Sequence, residues 1–161
     1  MVEQTESLES KIKEAEDVLT ILLDWIGRYD NRSALLFTLD LAMIGTLALK
    51  LRYSACSLYG LLNSIAFTLL GISIIASSIT IFPRLKGPQN SLIYFGSIAK
   101  MEKREFRDTF VNRTKNLYLD DLLAQCHINA KVLDLKFRVF RISLIVTMVA
   151  IIFWSLSLYL I

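Results

Sequence analysis

The stretch YSACSLYGLLNSIAFTLLGISIIASSITIF, residues 53–82, runs for thirty residues without an Asp, Glu, Lys or Arg. A second uncharged stretch of twenty residues runs from Ile142 to Ile161. A helix needs roughly twenty apolar residues to cross about 30 Å of hydrocarbon, so both stretches are long enough to span a bilayer. A soluble chain of 161 residues could hardly bury two such helices on all sides. The sequence therefore predicts an all-α integral membrane protein.

A third apolar stretch, ALLFTLDLAMIGTLAL at residues 34–49, is interrupted by Asp40. A carboxylate at the centre of a span costs about 2.5–3.5 kcal/mol, so Asp40 is expected to face other helices or a water-filled vestibule. Without this span, the 53–82 stretch would be a lone crossing preceded by an apolar helix of no evident purpose. We therefore predict three transmembrane helices, at about residues 34–51, 59–82 and 141–161.

The distribution of basic residues predicts the orientation. Sixteen of the eighteen Lys and Arg fall in residues 1–33 and 83–141, and only Lys50 and Arg52 lie in the link between the first two predicted spans. The positive-inside rule then places the amino terminus and residues 83–140 in the cytoplasm. Residues 1–33 are expected to form a cytoplasmic amphipathic helix without a cleavable signal peptide, because they are polar and no cleavage site follows an early apolar core.

Two heptad-like seams predict helix-on-helix packing outside the spans, either within the chain or between copies, and the second seam is the expected partner of the first. The second seam begins near Tyr118, and no Gly or Pro occurs between Leu117 and Ile161. The last cytoplasmic helix is therefore expected to continue into the last span as one helix of about 45 residues, about 67 Å long. The seam residues are Leu8, Ile12, Ala15, Leu19, Leu22 and Ile26 in the first seam, and Leu119, Leu122, Cys126, Ala130, Leu133, Phe137 and Phe140 in the second.

Two features leave alternatives open. The charged stretch Met101–Lys115 predicts a helix that either lies beneath the membrane or braces the cytoplasmic bundle. Small residues on one face of the second span permit close helix approach, either within the protomer or in a homo-oligomer. These small residues are Gly60, Ser64, Thr68, Gly71 and Ser78.

Catalysis is not expected from this sequence. The single His127 has no partnered nucleophile in a recognisable setting, and there is no Gly-rich phosphate loop of the usual kinds. The predicted topology separates Cys56 from Cys126 across the membrane, so they cannot pair or build a metal site with His127. We expect neither an enzyme nor a metal or cofactor site, and no contact with nucleic acid.

Three polar groupings are candidates for a binding site. Asp30 and Arg32 precede the first span, where they could also cap a helix or meet lipid headgroups. Gln125, Asn129 and Lys136 share a helical face, which a solvated surface would also explain, although amides followed by a lysine suit a small polar anion. The third grouping joins Arg84, after Pro83, to the aromatic pair Tyr94 and Phe95.

These groupings resemble the Pycsar transmembrane effectors over about residues 24–145. The resemblance rests on Pro83-Arg84-Leu85 after a span, on the run from Tyr94 to Ala99 (YFGSIA), and on Gln125 followed by Lys136-Phe137 before the final span. Asp30-x-Arg32-x-Ala34 is similar to the Asp-x-Lys-Ala element of that family. The chain departs from the family by carrying Arg32 where Lys is common and Phe137 where Tyr is common.

The resemblance implies a function that composition does not. Such effectors act in bacterial anti-phage defence beside a pyrimidine nucleotide cyclase, bind cyclic UMP or cyclic CMP, and then impair the inner membrane so that the infected cell dies. It implies a multi-pass protein of the bacterial inner membrane, with residues 83–140 as the helical sensor region. Arg84 or Lys136 would meet the phosphate, Gln125 and Asn129 would read base or ribose edges, and Tyr94 or Phe95 would stack on the pyrimidine.

Other functions remain open on the residues alone. The chain could be a small membrane pore gated by another nucleotide or by none, or a scaffold that recruits a protein partner through its seams. Expression with and without a pyrimidine cyclase separates the three hypotheses. Toxicity only with the cyclase indicates the effector, toxicity alone the ungated pore, and no toxicity the scaffold.

Overall fold

A computed structural model describes residues 2–49, 58–82, 87–88 and 90–159, with side chains from Ser7 onward in the first range. The described residues form α-helices and loops, and no strand occurs among them. The helices are α1 (Val2–Ala48), α2 (Leu58–Ile81), α3 (Phe95–Ile98), α4 (Lys103–Val111) and α5 (Lys115–Tyr159). The predicted all-α class is confirmed. So is the continuity of the last helix, since α5 runs for 45 residues without a break.

The chain divides into two compact units. The first unit comprises the described parts of residues 1–27 and 84–134, and the second comprises those of residues 28–83 and 135–161. Both α1 and α5 contribute to each unit, whereas α3 and α4 belong to the first unit and α2 to the second.

In the first unit, the beginning of α1 packs against the beginning of α5. Ala15 and Leu122 are buried, and the Cys126 thiol lies 3.5 Å from the Ala15 carbonyl oxygen. All three are seam positions, so the predicted pairing of the two seams is present here. The charged stretch after residue 100 forms the short helix α4, where the Phe106 and Phe110 rings lie 5.7 Å apart.

In the second unit, α2 packs with the later parts of α1 and α5 around an apolar cluster. The cluster consists of Met43, Leu47, Ala66, Leu70 and Ala150, with Phe153 and Trp154 packed against it. Large aliphatic side chains cover the outside of these helices, among them Leu61, Ile72, Ile75, Ile145, Met148 and Ile152. An apolar exterior of this kind is what a lipid-facing helix needs.

Among the described helices, α2 and α5 are long and apolar enough to cross a membrane. Their most apolar spans have mean hydropathies of 2.0 and 2.2, and only 28% and 17% of those spans are buried. The helix α1 is not among the helices that are apolar enough over a sufficient length, so the span at residues 34–51 stays a prediction. The end of that span, the link with Lys50, Arg52 and Cys56, and the turn at Pro83 lie outside the described residues.

The structure bears on two alternatives that the sequence left open. Asp30 and Arg32 do not cap a helix, because α1 passes through them without interruption. On the small-residue face of α2, Ser64, Thr68 and Ser78 are exposed and so do not pack within the protomer. Their hydroxyls donate instead to carbonyls one turn back. The buried stripe of α2 shares only Gly60 with that face and consists of Gly60, Asn63, Ala66, Leu70, Ser73, Ser77 and Thr80.

Candidate functional site

Ser91 anchors the loop that precedes α3. Its Oγ accepts hydrogen bonds from the backbone N–H groups of Ile93 and Tyr94, at 3.1 and 3.0 Å, and so holds the loop in a tight turn. Asn90 supports this turn with a left-handed backbone, φ 60°. The buried Gln125 amide donates to the same Ser91 oxygen at 3.1 Å. Gln125 therefore fastens the loop to α5.

Asp121 makes a second connection one turn earlier on α5. Its Oδ2 accepts from the Leu92 backbone N–H at 3.0 Å and from Arg113 Nη2 at 2.6 Å. The Arg113 and Asp121 side chains are only 10% and 11% exposed, so this ion pair is shielded from water and fixed in position. Arg113 Nη2 also donates to the Leu117 carbonyl at 3.2 Å. The loop, the α4–α5 connection and α5 are joined through these two side chains.

Tyr94 packs between two glycines. A Cβ placed on Gly87 would lie 2.2 Å from the Tyr94 ring, and one placed on Gly96 would lie 2.6 Å from it. Real Cβ atoms do not approach other atoms so closely, so both positions require glycine while the ring stays there. The Phe95 ring lies 5.0 Å away and is itself 63% exposed. Of the two predicted stacking residues, Phe95 is the accessible one.

Two cavities that share Leu92 and Arg113 open beside this loop. Their volumes are about 640 and 470 Å³, within the roughly 300–1,000 Å³ typical of small-molecule sites. The larger, here called the acidic cavity, is lined by amide and carboxyl side chains that include Asn90, Asp108, Asn112, Asp120 and Asp121. The smaller, here called the basic cavity, is lined by Phe110, Thr114, Lys115 and Tyr118 besides the shared residues.

Ion pairs and an aromatic contact fix the walls of the basic cavity. The Arg113 guanidinium lies 4.8 Å from the centroid of the Tyr118 ring, a cation–π distance. Tyr118 Oη donates to Glu16 at 2.6 Å, and this hydrogen bond together with burial raises the pKa of the phenol, which therefore stays protonated. Lys115 donates to Glu9 at 2.5 Å and lowers the pKa of that carboxyl.

In the second unit, Asp30 and Lys136 form an ion pair. The Lys136 side chain is 4% exposed and that of Asp30 is 38% exposed. Lys136 Nζ also donates to the Thr80 carbonyl at 2.6 Å. Two predicted site residues are thus bonded to each other, and the lysine charge is already neutralised by a carboxylate.

Three aromatic rings of the same unit contact one another. The Tyr29 ring meets Phe137 and Phe140 edge-on, with centroids 5.6 and 5.7 Å apart. Arg32, the other predicted residue of this grouping, is exposed and lies 5.7 Å from the Tyr29 ring centroid. The Tyr29 ring therefore contacts both Arg32 and the aromatic pair on α5.

A buried layer of oxygen atoms crosses the same unit, here called the hydroxyl layer. Asp40 accepts from Ser73 Oγ at 2.6 Å and from Thr147 Oγ1 at 2.9 Å. Ser143 Oγ lies 2.8 Å from Ser73 Oγ and 2.6 Å from Ser77 Oγ. All five side chains are at most 1% exposed. Asp40 faces the other helices, as predicted.

The structure brings the predicted residues together in two groups. Tyr94, Phe95, Gln125 and Asn129 belong to the first unit, and Asn129 donates to the carbonyl of Gln125 on its own helix. Asp30, Arg32 and Lys136 belong to the second. Arg84 lies outside the described residues.

Sequence reasoning missed Ser91, Arg113 and Asp121. The position of Asp121, one turn before Gln125 on the same helical face, was the available signal. An Arg eight residues before that Asp could then have been considered as its partner.

Comparison with known proteins identifies one family. A family model described as the Pycsar effector protein domain, PycTM, matches residues 14–161. No curated protein and no solved structure matches the chain.

Proposed function

The chain belongs to the Pycsar effector family, and from this premise we propose that it binds a cyclic pyrimidine mononucleotide, cyclic UMP or cyclic CMP, and then impairs the bacterial inner membrane. Its family makes it an anti-phage effector rather than a member of a catalytic family. The observation that carries the proposal is the family match over residues 14–161, which include all eight predicted site residues. The cyclic nucleotide would come from a pyrimidine nucleotide cyclase made by the same cell.

The proposed topology has three spans with the amino terminus in the cytoplasm. The part of α1 after Arg28 packs with α2 and α5 in one unit and carries exposed aliphatic side chains at Leu35, Leu39 and Leu41. These features support a third crossing at residues 34–51 beside the two helices that are apolar enough by themselves. The first unit would then lie in the cytoplasm, where the messenger is made.

The messenger is proposed to bind in the first unit, across the two cavities that meet at Arg113. The basic cavity, with Arg113 and Lys115, suits the cyclic phosphate. The acidic cavity offers carboxylates and amides that can accept from a ribose hydroxyl or a base N–H, at Asp108, Asn112 and Asp120. A guanidinium has five N–H donors, so Arg113 can keep its bonds to Asp121 and Leu117 and still donate to an anion.

The site residues predicted from the sequence would support or extend this binding site. Gln125 holds the loop wall through Ser91, and the exposed Phe95 is available to stack on a base. Lys136 could reach a phosphate only by leaving Asp30, so its predicted role requires an exchange of one anion for another. Arg84 and Asn129 remain proposed contacts.

Binding is proposed to shift the population of protomer arrangements toward one that opens the membrane. Ser64, Thr68 and Ser78 form an exposed face on α2 that could serve as a homo-oligomer contact, because small residues allow close approach between helices in lipid. Lipid is the other partner proposed for that face.

Isothermal titration of the detergent-solubilised protein with cyclic UMP and cyclic CMP tests the first step. We expect binding of at least one nucleotide, and Arg113→Ala should weaken it by about tenfold or more, since a charge-assisted contact contributes about 1.5–3 kcal/mol. Lys131→Ala is the matched control, because Lys131 is an exposed cation on α5 that lines neither cavity. Absence of binding to both nucleotides at tens of micromolar would contradict the proposal.

Two further results would change the proposed phosphate contact or the proposed function. Full affinity in Arg113→Ala with a loss in Arg84→Ala or Lys136→Ala would move the phosphate contact to those residues. Growth arrest on expression without any cyclase would favour the ungated pore, and no arrest with the cyclase would favour the scaffold.

A further inference from the structure

The interior of the second unit changes from polar to apolar along its length. Each helix places one stripe of residues inside. Polar residues dominate from Asp30, Thr80 and Lys136 as far as the hydroxyl layer, although Tyr29 and Leu36 are also buried in this part. The next positions form the apolar cluster, here called the plug: Met43, Leu47, Ala66, Leu70 and Ala150. Beyond the plug, buried polar side chains return at Asn63 and Ser157.

The polar part of the interior covers a substantial fraction of the thickness of a membrane. Lys136 and Thr147 are eleven positions apart on α5, about 16 Å at 1.5 Å per residue. The part of this length inside the predicted span, which begins at about residue 141, is about 9 Å, or about a third of a hydrocarbon core of about 30 Å. On α2 the plug runs from Ala66 to Leu70, four positions apart and about 6 Å, between two polar regions.

Two buried oxygen atoms lack a hydrogen-bond partner among the described residues. They are Ser33 Oγ, on the polar side of the plug, and Asn63 Oδ1, on the other side. Their side chains are 0% and 3% exposed. A buried polar group without a partner costs about 1–3 kcal/mol, and such groups are few in native structures. Both oxygens lie on the inward stripes, so each can bind a guest that enters the bundle.

We propose that this interior is a closed path for a monovalent cation, that Asp40 is its internal binding site, and that the plug is its gate. This inference deepens the proposed membrane impairment, on which its biological role rests. Oxygen atoms alone line the hydroxyl layer, as hard cations require, and one carboxylate balances one positive charge. A proton, Na⁺ and K⁺ share this chemistry.

The plug explains why the path is closed. Leu47 and Leu70 are 0% exposed and Met43 is 5% exposed, so the described side chains leave no wet route past them. A short apolar constriction can block ions by excluding water, and small separations of its side chains let water return. An arrangement that moves α2 away from α1 would separate Leu70 from Leu47 and join the two polar regions.

A purely structural role for the hydroxyl layer makes a different prediction. Interhelical hydrogen bonds in membranes contribute about 0.6 kcal/mol on average, whereas a carboxylate at the centre of a span costs about 2.5–3.5 kcal/mol. Membrane helices can pack through small residues and hydroxyl groups without an acidic side chain, so a purely structural layer would not need Asp40. A structural layer would therefore predict that Asp40→Asn changes stability alone, while a cation site predicts that it changes conduction.

The test uses the full chain in vesicles of phosphatidylethanolamine and phosphatidylglycerol. The vesicles contain pyranine to report protons or carboxyfluorescein to report a large lesion, with Na⁺ or K⁺ gradients in separate arms. Leu70→Ser opens the plug in the variant, and Ala66→Ser is a milder second change at a position that is also 0% exposed. Ile75→Ser is the matched control, because Ile75 lies on the same helix and is 64% exposed.

We expect vesicles with Leu70→Ser or Ala66→Ser to conduct at least one monovalent cation without any nucleotide. The same vesicles should retain carboxyfluorescein. Vesicles with Ile75→Ser should show no cation flux. Adding Asp40→Asn to the conducting variant should slow the flux by about tenfold or more, which corresponds to about 1.4 kcal/mol in the barrier. The arm that conducts identifies the ion as H⁺, Na⁺ or K⁺. Circular dichroism checks that each variant is helical.

Three outcomes overturn the inference: no flux from either plug variant, an equal flux from Ile75→Ser, or a flux that Asp40→Asn leaves unchanged. These arms need no nucleotide, so they stand apart from the proposed function. If wild-type vesicles release carboxyfluorescein when cyclic UMP or cyclic CMP is added, membrane impairment is real but proceeds through a wider lesion. If wild-type vesicles show no dye release and no cation flux with nucleotide while Leu70→Ser conducts, the proposed nucleotide response is wrong and the proposed cation path is supported.

Discussion

The ion pair between Asp30 and Lys136 should respond very differently to the loss of each partner. Lys136 is 4% exposed and Asp30 is 38% exposed. The change Asp30→Asn leaves a buried ammonium that donates to the Thr80 carbonyl but no longer faces a carboxylate. The change Lys136→Met removes the buried charge and leaves a carboxylate that water can reach.

The magnitudes follow from these exposures. Leaving an uncompensated buried charge costs about 3–5 kcal/mol. Losing an ion pair whose remaining member is solvated costs about 1 kcal/mol or less, and the lost hydrogen bond to Thr80 adds about 1 kcal/mol. We therefore expect Asp30→Asn to lower the free energy of unfolding by about 2 kcal/mol more than Lys136→Met does. The double variant should be no less stable than Asp30→Asn alone, since it contains no buried charge.

Unfolding in mixed micelles titrated with dodecyl sulfate, followed by far-ultraviolet circular dichroism, measures the four free energies of this cycle. Arg141→Met is the control, because Arg141 is an exposed cation on α5 in the same unit. An effect of Asp30→Asn that is equal to or smaller than that of Lys136→Met would refute the reasoning. So would a double variant less stable than both single variants.

Three further predictions concern the first unit. Gly96→Ala should lower the free energy of unfolding by about 1–3 kcal/mol, because the new methyl would overlap the Tyr94 ring; thermal unfolding measures this. Gln125→Ala should speed amide hydrogen exchange in residues 90–94, because Ser91 loses its connection to α5. Cys126 should react slowly with iodoacetamide at pH 8 in the folded protein and quickly after unfolding. Burial raises the pKa of its thiol, so less of the reactive thiolate forms at that pH.

Each of these predictions has its own control. Gly27→Ala has nothing within 4 Å of its new methyl and should be neutral or stabilising, so an equal loss at Gly27 and Gly96 would contradict the steric explanation. Leu123→Ala, at an exposed position on α5, should leave exchange in the loop unchanged. Equal alkylation rates before and after unfolding, in a Cys56→Ser background with a single thiol, would show that Cys126 is accessible.

The sequence was most informative where a pattern has a single physical explanation. Apolar spacing predicted the pairing that buries Ala15 against Cys126, and the absence of Gly and Pro predicted the unbroken α5. A carboxylate in an apolar stretch must avoid lipid, and Asp40 is 0% exposed, as that argument requires.

The remaining features depend on partners distant in sequence. Nothing local distinguishes Ser73, which bonds Asp40, from Ser78, which bonds its own helix, because both are small hydroxyl residues on α2. Helical spacing alone therefore could not tell which face of α2 packs within the protomer. Lys136 was expected to meet a ligand, and its bond to Asp30, 106 positions away, could not be inferred from helical spacing.

The helix α5 is fixed along its axis at two places within the second unit: Lys136 bonds Asp30 and Thr80, and Thr147 bonds Asp40. One residue inserted between those places would turn everything beyond it by about 100° and advance it by about 1.5 Å. Only one of the two attachments could then keep its partner. Seven inserted residues would restore the angle but displace the far attachment by about 10 Å. Insertions and deletions between residues 136 and 147 should therefore be excluded during the evolution of this chain.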